Sequence, residues 1–130
     1  MTLTKPAIVL LVEDNPGDVM LIRQGLRDSE QPIRLLTAMD GEQAVGMLAD
    51  PEFRPALVIL DLYIPRVSSR TVLQRYRERG VPVIIFTSTS NEMEKQHALD
   101  HGALDFVSKP TDLPAFGVTV RRMVEKWVRG

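Results

Sequence analysis

Short apolar runs recur along the chain every 23 to 26 residues, and this regularity constrains the fold more than any other feature. The runs begin near Ala7, Ile33, Ala56, Pro82 and Asp105. The stretches between them, and the one after the last, have the spacing of amphipathic helices. The runs at 57–60 and 83–86 are apolar at every position, as strands covered on both faces are. The pattern predicts five successive βα units that form a doubly wound parallel sheet of the α/β class.

Local signals mark where several helices begin and end. Asp40 followed by Gln43 is the pattern of a capping box at a helix start. Gly80 and Gly102 stand just beyond two helical stretches, where a left-handed residue commonly ends a helix. The last stretch carries one apolar stripe made of Leu113, Phe116, Val120, Met123 and Trp127. We expect this stripe to face the core, with Trp127 either in the core or in a dimer contact.

Composition excludes several classes of protein. With 16 basic and 17 acidic residues the net charge is −1, which gives no case for direct nucleic-acid binding. The sequence has no cysteine, and this excludes disulfides, thiol nucleophiles and thiolate metal sites. No apolar run approaches the roughly 20 residues of a membrane-spanning helix, and the run at 8–12 ends in carboxylates, unlike a signal peptide. We therefore expect a cytoplasmic protein without membrane contact, whose 130 residues form one domain.

Polar and charged residues follow four of the five apolar runs, where the strands should end. They are Glu13 and Asp14, Asp61, Thr87 and Ser88, and Lys109 and Pro110. In an open α/β sheet, ligands bind outside the carboxyl ends of the strands, at the point where the strand order reverses. If the strand order is 2-1-3-4-5, the first and third strands are neighbours and these side chains converge at one edge of the sheet.

Such a group of side chains suits the chemistry of phosphate. Clustered carboxylates need a counter-charge, because two unit charges ~4 Å apart repel by about 4 kcal/mol at an effective dielectric constant of ~20. Mg²⁺ is a hard cation that suits a site with few carboxylates and several waters. A carboxylate beside Mg²⁺ can attack phosphorus to give an aspartyl phosphate, whose oxygens Lys109 and Thr87 could then bind. The residues predict a metal-assisted phosphoacceptor.

Four motifs at these strand ends resemble those of the receiver domain of two-component response regulators. They are Val-Glu-Asp at 12–14, Leu-Asp-Leu-Tyr-Ile-Pro at 60–65, Phe-Thr-Ser at 86–88 and Ser-Lys-Pro at 108–110. The resemblance covers essentially the full chain. It implies the flavodoxin-like (βα)5 fold with strand order 2-1-3-4-5.

The resemblance also implies which residues hold the metal and the phosphoryl group. Asp61 would be the phosphoacceptor, taking the group from the phosphohistidine of a sensor histidine kinase. Asp14 and Asp61 would hold Mg²⁺ with their side chains, Glu13 would act mainly through a water, and Tyr63 would lend its backbone carbonyl.

The remaining motif residues are implied to respond to the phosphoryl group. Thr87 would hydrogen-bond it and Lys109 would pair with it. Phe106 stands at the aromatic switch position, whose ring turns inward when Thr87 moves. The peptide bond between Lys109 and Pro110 is cis in the family, which the sequence permits.

The resemblance extends to the mode of signalling. Residues 13–18, Glu-Asp-Asn-Pro-Gly-Asp, look like those of single-domain regulators that serve phytochrome-type histidine kinases. We expect residues 1–130 to be a receiver domain with no effector domain. Output would then pass through a phosphorylation-dependent binding surface or a phosphorelay, and a homodimer remains open.

Two positions depart from the family pattern. Ser68 and Ser69 stand where Asp-Gly is usual, so we expect the loop from 62 to 69 to be shaped differently. Tyr63 is bulky for its position, and we predict that it shields the phosphoryl group from water and prolongs its lifetime. Five arginines, at 66, 70, 75, 77 and 79, are expected to form a solvated face, with a partner surface as the alternative.

Three other functions compete with the phosphoacceptor. A pseudo-receiver would serve as a protein-interaction module without ever taking phosphate. An aspartate-nucleophile phosphatase needs a second Asp two residues after the nucleophile, where this chain has Tyr63. A flavodoxin-like cofactor protein needs a phosphate-binding loop after the first strand, and the sequence lacks one.

Overall fold

A computed structural model of the chain describes residues 5–128 and contains five strands that alternate with five helices. The strands are β1 (Ala7–Val12), β2 (Ile33–Ala38), β3 (Leu57–Leu60), β4 (Val83–Thr87) and β5 (Asp105–Ser108). The helices are α1 (Pro16–Arg27), α2 (Gly41–Gly46), α3 (Ser69–Glu78), α4 (Glu92–Asp100) and α5 (Leu113–Trp127), and a single 3₁₀ turn, Met47–Ala49, follows α2. Each strand begins within one residue of the start of a predicted apolar run, so the alternation is confirmed.

All five strands are parallel and lie in the order 2-1-3-4-5, as predicted. The register pairs Val12, the last residue of β1, with Leu60, the last residue of β3. The residues that follow these two strands therefore start from adjacent points on the carboxyl edge of the sheet. The backbone N–H of Asp61 donates to the carbonyl of Val12 at 3.1 Å, which fixes this arrangement.

Successive residues of each strand point to opposite faces of the sheet, and each face has its own core. On one face Leu10, Val58, Leu60 and Ile85 pack with residues of α2, α3 and α4. On the other face the core joins β1, β3 and β4 to α1 and α5 through Val9, Leu11, Ile59, Ile84, Ile22, Phe116 and Val120. Covering of both faces explains why the runs at 57–60 and 83–86 are apolar at every position.

The predicted helix ends are confirmed, with one shift of partner. The Asp40 carboxylate accepts the N–H of Gln43 at 2.7 Å. The Gln43 side chain accepts the N–H of Met39, one residue earlier than in the standard capping box. Gly80 and Gly102 have φ of +79° and +102°, the left-handed conformation expected after α3 and α4.

The apolar stripe of α5 is confirmed except at its start. Phe116, Val120 and Met123 are buried, and Trp127 is half-buried against the same core. Leu113 is 64% exposed, so its assignment to the core was wrong. It is the first residue of the helix, one turn before the first buried side chain, and periodicity alone does not show where a stripe leaves the core.

The loop between β3 and α3 turns at Arg66 and not at the serines. Ser68 caps α3, since its hydroxyl accepts the N–H of Thr71 at 3.2 Å. Arg66 takes a left-handed φ of +73°, which a non-glycine residue adopts at a cost. Its guanidinium lies 3.1 Å from the carboxylate of Asp40 and 3.4 Å from that of Glu42, and these contacts join the loop to α2.

The five arginines are not a uniform solvated face. Arg70 contacts the Nε2 atom of His101 at 2.8 Å, which links α3 to α4. Arg79 is half-buried and donates to the carbonyls of Leu48, Asp50 and Phe53 at 2.7, 2.7 and 3.1 Å. This arginine stabilises the turn after α2, so for it the solvated-face expectation was wrong.

Candidate functional site

The polar residues predicted to converge lie at the carboxyl edge of the sheet. Glu13, Asp61 and Lys109 each follow a strand directly, and Thr87 is the last residue of β4. Glu13, Asp61 and Thr87 are only 2%, 8% and 0% exposed, and within residues 5–128 they are the buried polar side chains of the protein. Buried polar groups are costly unless they are hydrogen-bonded, so their concentration at one place indicates a functional site.

The Lys109 ammonium lies at the centre of this site, where three carboxylates contact it. Its Nζ atom is 2.8 Å from Asp61 Oδ2 and 2.7 Å from Asp18 Oδ2, and it also contacts Glu13 Oε1. The lysine side chain is 6% exposed. An ammonium has three donors, and each is directed to a different acidic residue.

Asp61 has donors on both carboxylate oxygens. Its Oδ1 atom accepts the Thr87 hydroxyl at 2.9 Å and the backbone N–H of Tyr63 at 3.2 Å, while Oδ2 accepts from Lys109. Burial acts to raise the pKa of Asp61, but the hydrogen bond and charge of Lys109, helped by the other two donors, hold it below its usual value. Asp61 is therefore an ionised carboxylate at neutral pH.

Burial and hydrogen bonding also shift the pKa values of Glu13 and Lys109. Burial, and secondarily the charge of Asp61, raises the pKa of Glu13 to about 7 despite the opposing effect of Lys109. Burial acts to lower the pKa of Lys109, but hydrogen bonds to Asp18, Asp61 and Glu13 raise it above its usual value. The lysine is thus firmly cationic, and it favours the charged form of Asp61 more than that of Glu13.

The structure brings together most, but not all, of the residues that the sequence indicates. Glu13, Asp61, Thr87 and Lys109 form one hydrogen-bonded group. Asp14 is exposed and takes no part in that group within the described residues. Its role as a metal ligand remains a prediction.

Asp18 is a member of the site that sequence reasoning missed. It lies in the first turn of α1, where an acidic residue is ordinarily explained by the helix dipole. Its distance of 2.7 Å from Lys109 depends on how α1 packs against α5, the helix that follows Lys109 in the chain. The one available signal was its place one helical turn after Asp14, which brings it back toward the end of β1.

Tyr63 is directed toward α4. Its ring is 59% exposed, and its hydroxyl donates to the Glu94 carboxylate, 2.6 and 2.7 Å from the two oxygens. It lies over a groove of about 230 Å³ between α3 and α4, lined in part by Leu62, Leu73 and Ala98. Tyr63 therefore links the Asp61 loop to α4 through its backbone N–H at one end and its hydroxyl at the other.

Two expectations concern β5 and the residues that follow it. Phe106 is 7% exposed and lies in the core with Ala98 and Ala103, and its role as a switch stays a prediction. Within residues 5–128 no peptide bond is cis, so the expected cis bond between Lys109 and Pro110 is wrong for this structure. The trans form is the default for X-Pro bonds, which favour it by about 0.5–1 kcal/mol.

The donors at this edge have the chemistry that a divalent cation requires. Three carboxylates, those of Glu13, Asp18 and Asp61, contact a single ammonium, so negative charge is in excess. Their oxygens are hard ligands of the kind that Mg²⁺ and Mn²⁺ prefer. Among the described residues, however, no three acidic or histidine side chains form a ready-made cage, because Lys109 lies between the carboxylates.

Over the described part of the chain, no helix is both long and apolar enough to cross a bilayer.

Comparison with solved structures identifies close relatives of this fold. The phosphorylated cyanobacterial phytochrome response regulator RcpA superposes with a TM-score of 0.87 at 28% identity, over 95% of each chain. The Mn²⁺-bound response regulator Rcp1 gives a TM-score of 0.86 at 26% identity, over 95% of this chain and 96% of that one.

Sequence relatives place the same domain in larger proteins. The response regulator PmrA of Pseudomonas aeruginosa is 33% identical over 123 residues, which are 91% of this chain and 52% of that protein. A protein-glutamate methylesterase/protein-glutamine glutaminase of Koribacter versatilis is 37% identical over 112 residues, 84% of this chain and 30% of that protein. The chain thus spans about half the length of the first of these relatives and less than a third of the second.

A model of the response regulator receiver domain matches residues 9–121. This match covers most of the chain and includes all four motifs of the site, and the fold agrees with it in strand order and connectivity. The chain therefore belongs to the response regulator receiver domain family of two-component signalling.

Proposed function

We propose that Asp61 accepts a phosphoryl group from a sensor histidine kinase in the presence of Mg²⁺. The observation that carries the proposal is the ionised, largely buried Asp61 carboxylate, with Lys109 and Thr87 donating to it. A nucleophile toward phosphorus must be an anion, and donors beside it are placed for the charge that develops on the phosphoryl oxygens. Both conditions are met at Asp61.

In the proposed transfer, a carboxylate oxygen of Asp61 forms a bond to phosphorus. The bond between phosphorus and the imidazole nitrogen of the donor breaks, and that nitrogen keeps the electron pair. Lys109 and Thr87 then donate to the phosphoryl oxygens, having donated to Asp61 before the reaction. The phosphoryl group would stay on Asp61 of the chain itself. The chain would therefore act as a phosphoacceptor, with at most self-phosphorylation and self-dephosphorylation activity.

Four groups would hold the metal: the side chains of Asp14 and Asp61, Glu13 through a water, and the backbone carbonyl of Tyr63. When bound, Mg²⁺ would neutralise charge on the phosphoryl oxygens. The excess of carboxylates over ammonium groups supports a divalent cation at this edge. A Mn²⁺-bound form of Rcp1 supports the same class of ion.

The kinase would dock at the carboxyl edge of the sheet. Five of the six exposed large apolar side chains in the described chain follow the carboxyl end of a strand, and they are Met20, Met39, Tyr63, Met93 and Leu113. Exposed apolar groups around a site are typical of a surface that binds another protein. The likeness to RcpA, a phytochrome response regulator, favours a kinase of the phytochrome type.

The signal would leave the domain through a change in its own surface or through a phosphorelay. Thr87 is the residue that would move, because its hydroxyl now bonds Asp61 and would turn to the phosphoryl group. Phe106, on the neighbouring strand β5, would report that movement at the surface formed by α4, β5 and α5. Homodimerisation on that surface is part of the proposal.

Acetyl phosphate with Mg²⁺ tests the phosphoacceptor directly. We expect wild type to gain the mass of one phosphoryl group, and the gain to vanish in Asp61→Ala or after addition of a chelator. Asp28→Ala is the control, since Asp28 is exposed at the far end of α1. A wild type that binds partners but never gains this mass would instead be a pseudo-receiver. Phosphotransfer from phosphorylated phytochrome-type kinases, compared with other histidine kinases, tests the partner.

A further inference from the structure

Among the three acidic partners of Lys109, Asp18 has a different position and exposure. Glu13 and Asp61 follow strands and have side chains that are 2% and 11% exposed. Asp18 is on α1 and its side chain is 23% exposed. Its own backbone is held in place, because its N–H donates to the side chain of Asn15 at 3.1 Å as part of the helix cap. Asp18 is thus a fixed carboxylate on a different element from the other two.

Asp18 is also the one of the three carboxylates that the proposed chemistry leaves unchanged. Asp61 would become an acyl phosphate, and Glu13 would hold the metal through a water. The Lys109 ammonium, which is 6% exposed, would then exchange its contacts with these two carboxylates for contacts with the phosphoryl oxygens. Asp18 would be the one carboxylate that keeps its contact throughout, and it would hold the ammonium aimed at the acceptor.

We propose that Asp18 is a positioning residue for phosphoryl transfer, which holds the Lys109 ammonium where it can bind the phosphoryl group on Asp61. This inference rests on the proposed phosphoacceptor function. Asp18 touches neither the phosphoryl group nor the metal, and it acts through the lysine. The contact at 2.7 Å between Asp18 Oδ2 and Nζ carries the proposal.

Electrostatics alone gives the opposite expectation, and this makes the proposal testable. Acetyl phosphate is an anion, so removing a nearby negative charge should help it approach and speed the reaction. Loss of a positioning contact should instead slow the reaction, on the order of tenfold for the loss of one supporting hydrogen-bond partner. Asp18→Asn keeps the shape but removes the charge and weakens the contact, because a neutral amide oxygen accepts from an ammonium less strongly than a carboxylate does. The direction of its effect therefore separates the two expectations.

The experiment measures the rate of phosphorylation by acetyl phosphate with Mg²⁺ over a range of donor concentrations. We expect Asp18→Asn to lower the maximal rate roughly tenfold, and Asp18→Glu to restore part of it. The matched control is Asp28→Asn, which makes the same charge change on the exposed far end of α1 and should stay within about twofold of wild type. Because Asp18 acts through the lysine, its substitution should have less than about a twofold effect in a Lys109→Gln background.

A second measurement does not depend on phosphorylation. In protein labelled with ¹⁵N-lysine, the ammonium protons of Lys109 should exchange with water several-fold faster in Asp18→Asn than in wild type, while those of exposed Lys5 should not change.

An unchanged or faster phosphorylation rate in Asp18→Asn, or unchanged exchange at Lys109, would overturn the proposal. If wild type itself takes no phosphoryl group, the proposed function fails, and the positioning role with it. A phosphorylated wild type with an unaffected Asp18→Asn refutes the Asp18 proposal alone.

Discussion

At the scale of single residues, Gly41 lets the start of α2 lie directly against the loop that follows β3. Its N–H donates to the Pro65 carbonyl at 3.1 Å, and a Cβ here would stand 1.9 Å from the carbonyl oxygen of Val67. A backbone oxygen cannot rotate away, so the loop between β3 and α3, which begins at Asp61, would have to shift.

Gly41→Ala should therefore lower the free energy of unfolding by about 1–3 kcal/mol, toward the upper end of that range. Gly46→Ala, in open space at the other end of α2, is the matched control and should raise it by about 0.5–1 kcal/mol. Urea denaturation of both variants gives the two values. Equal stability of the two variants would contradict the close approach at Gly41.

Tyr76 makes stability depend on alkaline pH. The side chain is fully buried and donates to the Ala44 carbonyl at 2.6 Å, and burial raises its pKa from 10.0 to about 12. The folded state keeps the phenol proton after the unfolded state has begun to lose it. Its contribution to stability is therefore complete below pH 10 and falls between pH 10 and 12, by roughly 1.4 kcal/mol per pH unit.

Tyr76→Phe should remove this pH dependence. Near neutral pH the variant should be less stable than wild type by about 1 kcal/mol, because the Ala44 carbonyl loses its donor. Above pH 10 the difference should shrink and then reverse, since phenylalanine has no proton to lose. Chemical denaturation of both proteins at pH 8, 10 and 11 measures it, and a constant difference would show that Tyr76 ionises equally in both states.

The sequence predicted that Glu13, Asp61, Thr87 and Lys109 form one group. Each stands at the end of an apolar run, and parallel strands bring their carboxyl ends to one edge of the sheet. The contact of Asp18 could not be predicted, since it depends on the packing of α1 against α5 and not on any local pattern. The trans bond before Pro110 was missed for a related reason: the bond's isomer is selected by its surroundings, and the motif carries no direct signal for it.

At the scale of elements, Tyr63 couples the β3–α3 loop to α4. Its N–H donates to Asp61 and its hydroxyl donates to Glu94, so one residue connects the predicted acceptor to the first turn of α4. The sequence predicted a shield over the phosphoryl group. The structure adds a hydrogen bond from the hydroxyl to Glu94, an anchor that holds the ring in place. Tyr63 and Glu94 are 31 residues apart, so no local sequence pattern predicts this contact.

Tyr63→Asn should shorten the lifetime of the phosphorylated protein several-fold, because water gains access to phosphorus. Tyr63→Phe keeps the ring but loses the anchor, so its lifetime should fall between wild type and Tyr63→Asn. Loss of labelled phosphate with time after removal of the donor measures all three. A lifetime in Tyr63→Asn as long as that of wild type would show that the ring does not shield.

Arg79 stabilises the turn between α2 and β3. The segment between α2 and β3 has a single 3₁₀ turn as its regular structure. Arg79 donates to three carbonyls of this segment, those of Leu48, Asp50 and Phe53. Arg79→Met keeps much of the apolar stem and should lower the free energy of unfolding by about 1–3 kcal/mol. Arg75→Met, on the exposed face of α3, should change it by less than about 0.5 kcal/mol. Thermal and urea denaturation measure the free energy of unfolding of both variants. Equal losses in the two variants would show that the hydrogen bonds of Arg79 do not stabilise the turn.

At the scale of the whole molecule, the spacing of apolar runs was sufficient to predict the number and type of elements. Runs with every position apolar predicted strands buried on both faces, and the two cores confirm it. Strand order came from the resemblance, since periodicity does not say which strands are neighbours. Once that order holds, the position of the site follows, because β1 and β3 lie side by side and their carboxyl ends meet.

The proposed function depends on which carboxylate takes the phosphoryl group. Three acidic side chains contact Lys109, and of these only Asp61 combines burial, ionisation and donors on both oxygens. Reduction of the phosphorylated protein with borohydride marks the acyl phosphate permanently, and peptide mass spectrometry then locates it. We predict the mark at Asp61 in wild type and no mark in Asp61→Ala. A mark at Glu13, Asp14 or Asp18 in wild type, or an undiminished mass gain in Asp61→Ala, would contradict the account.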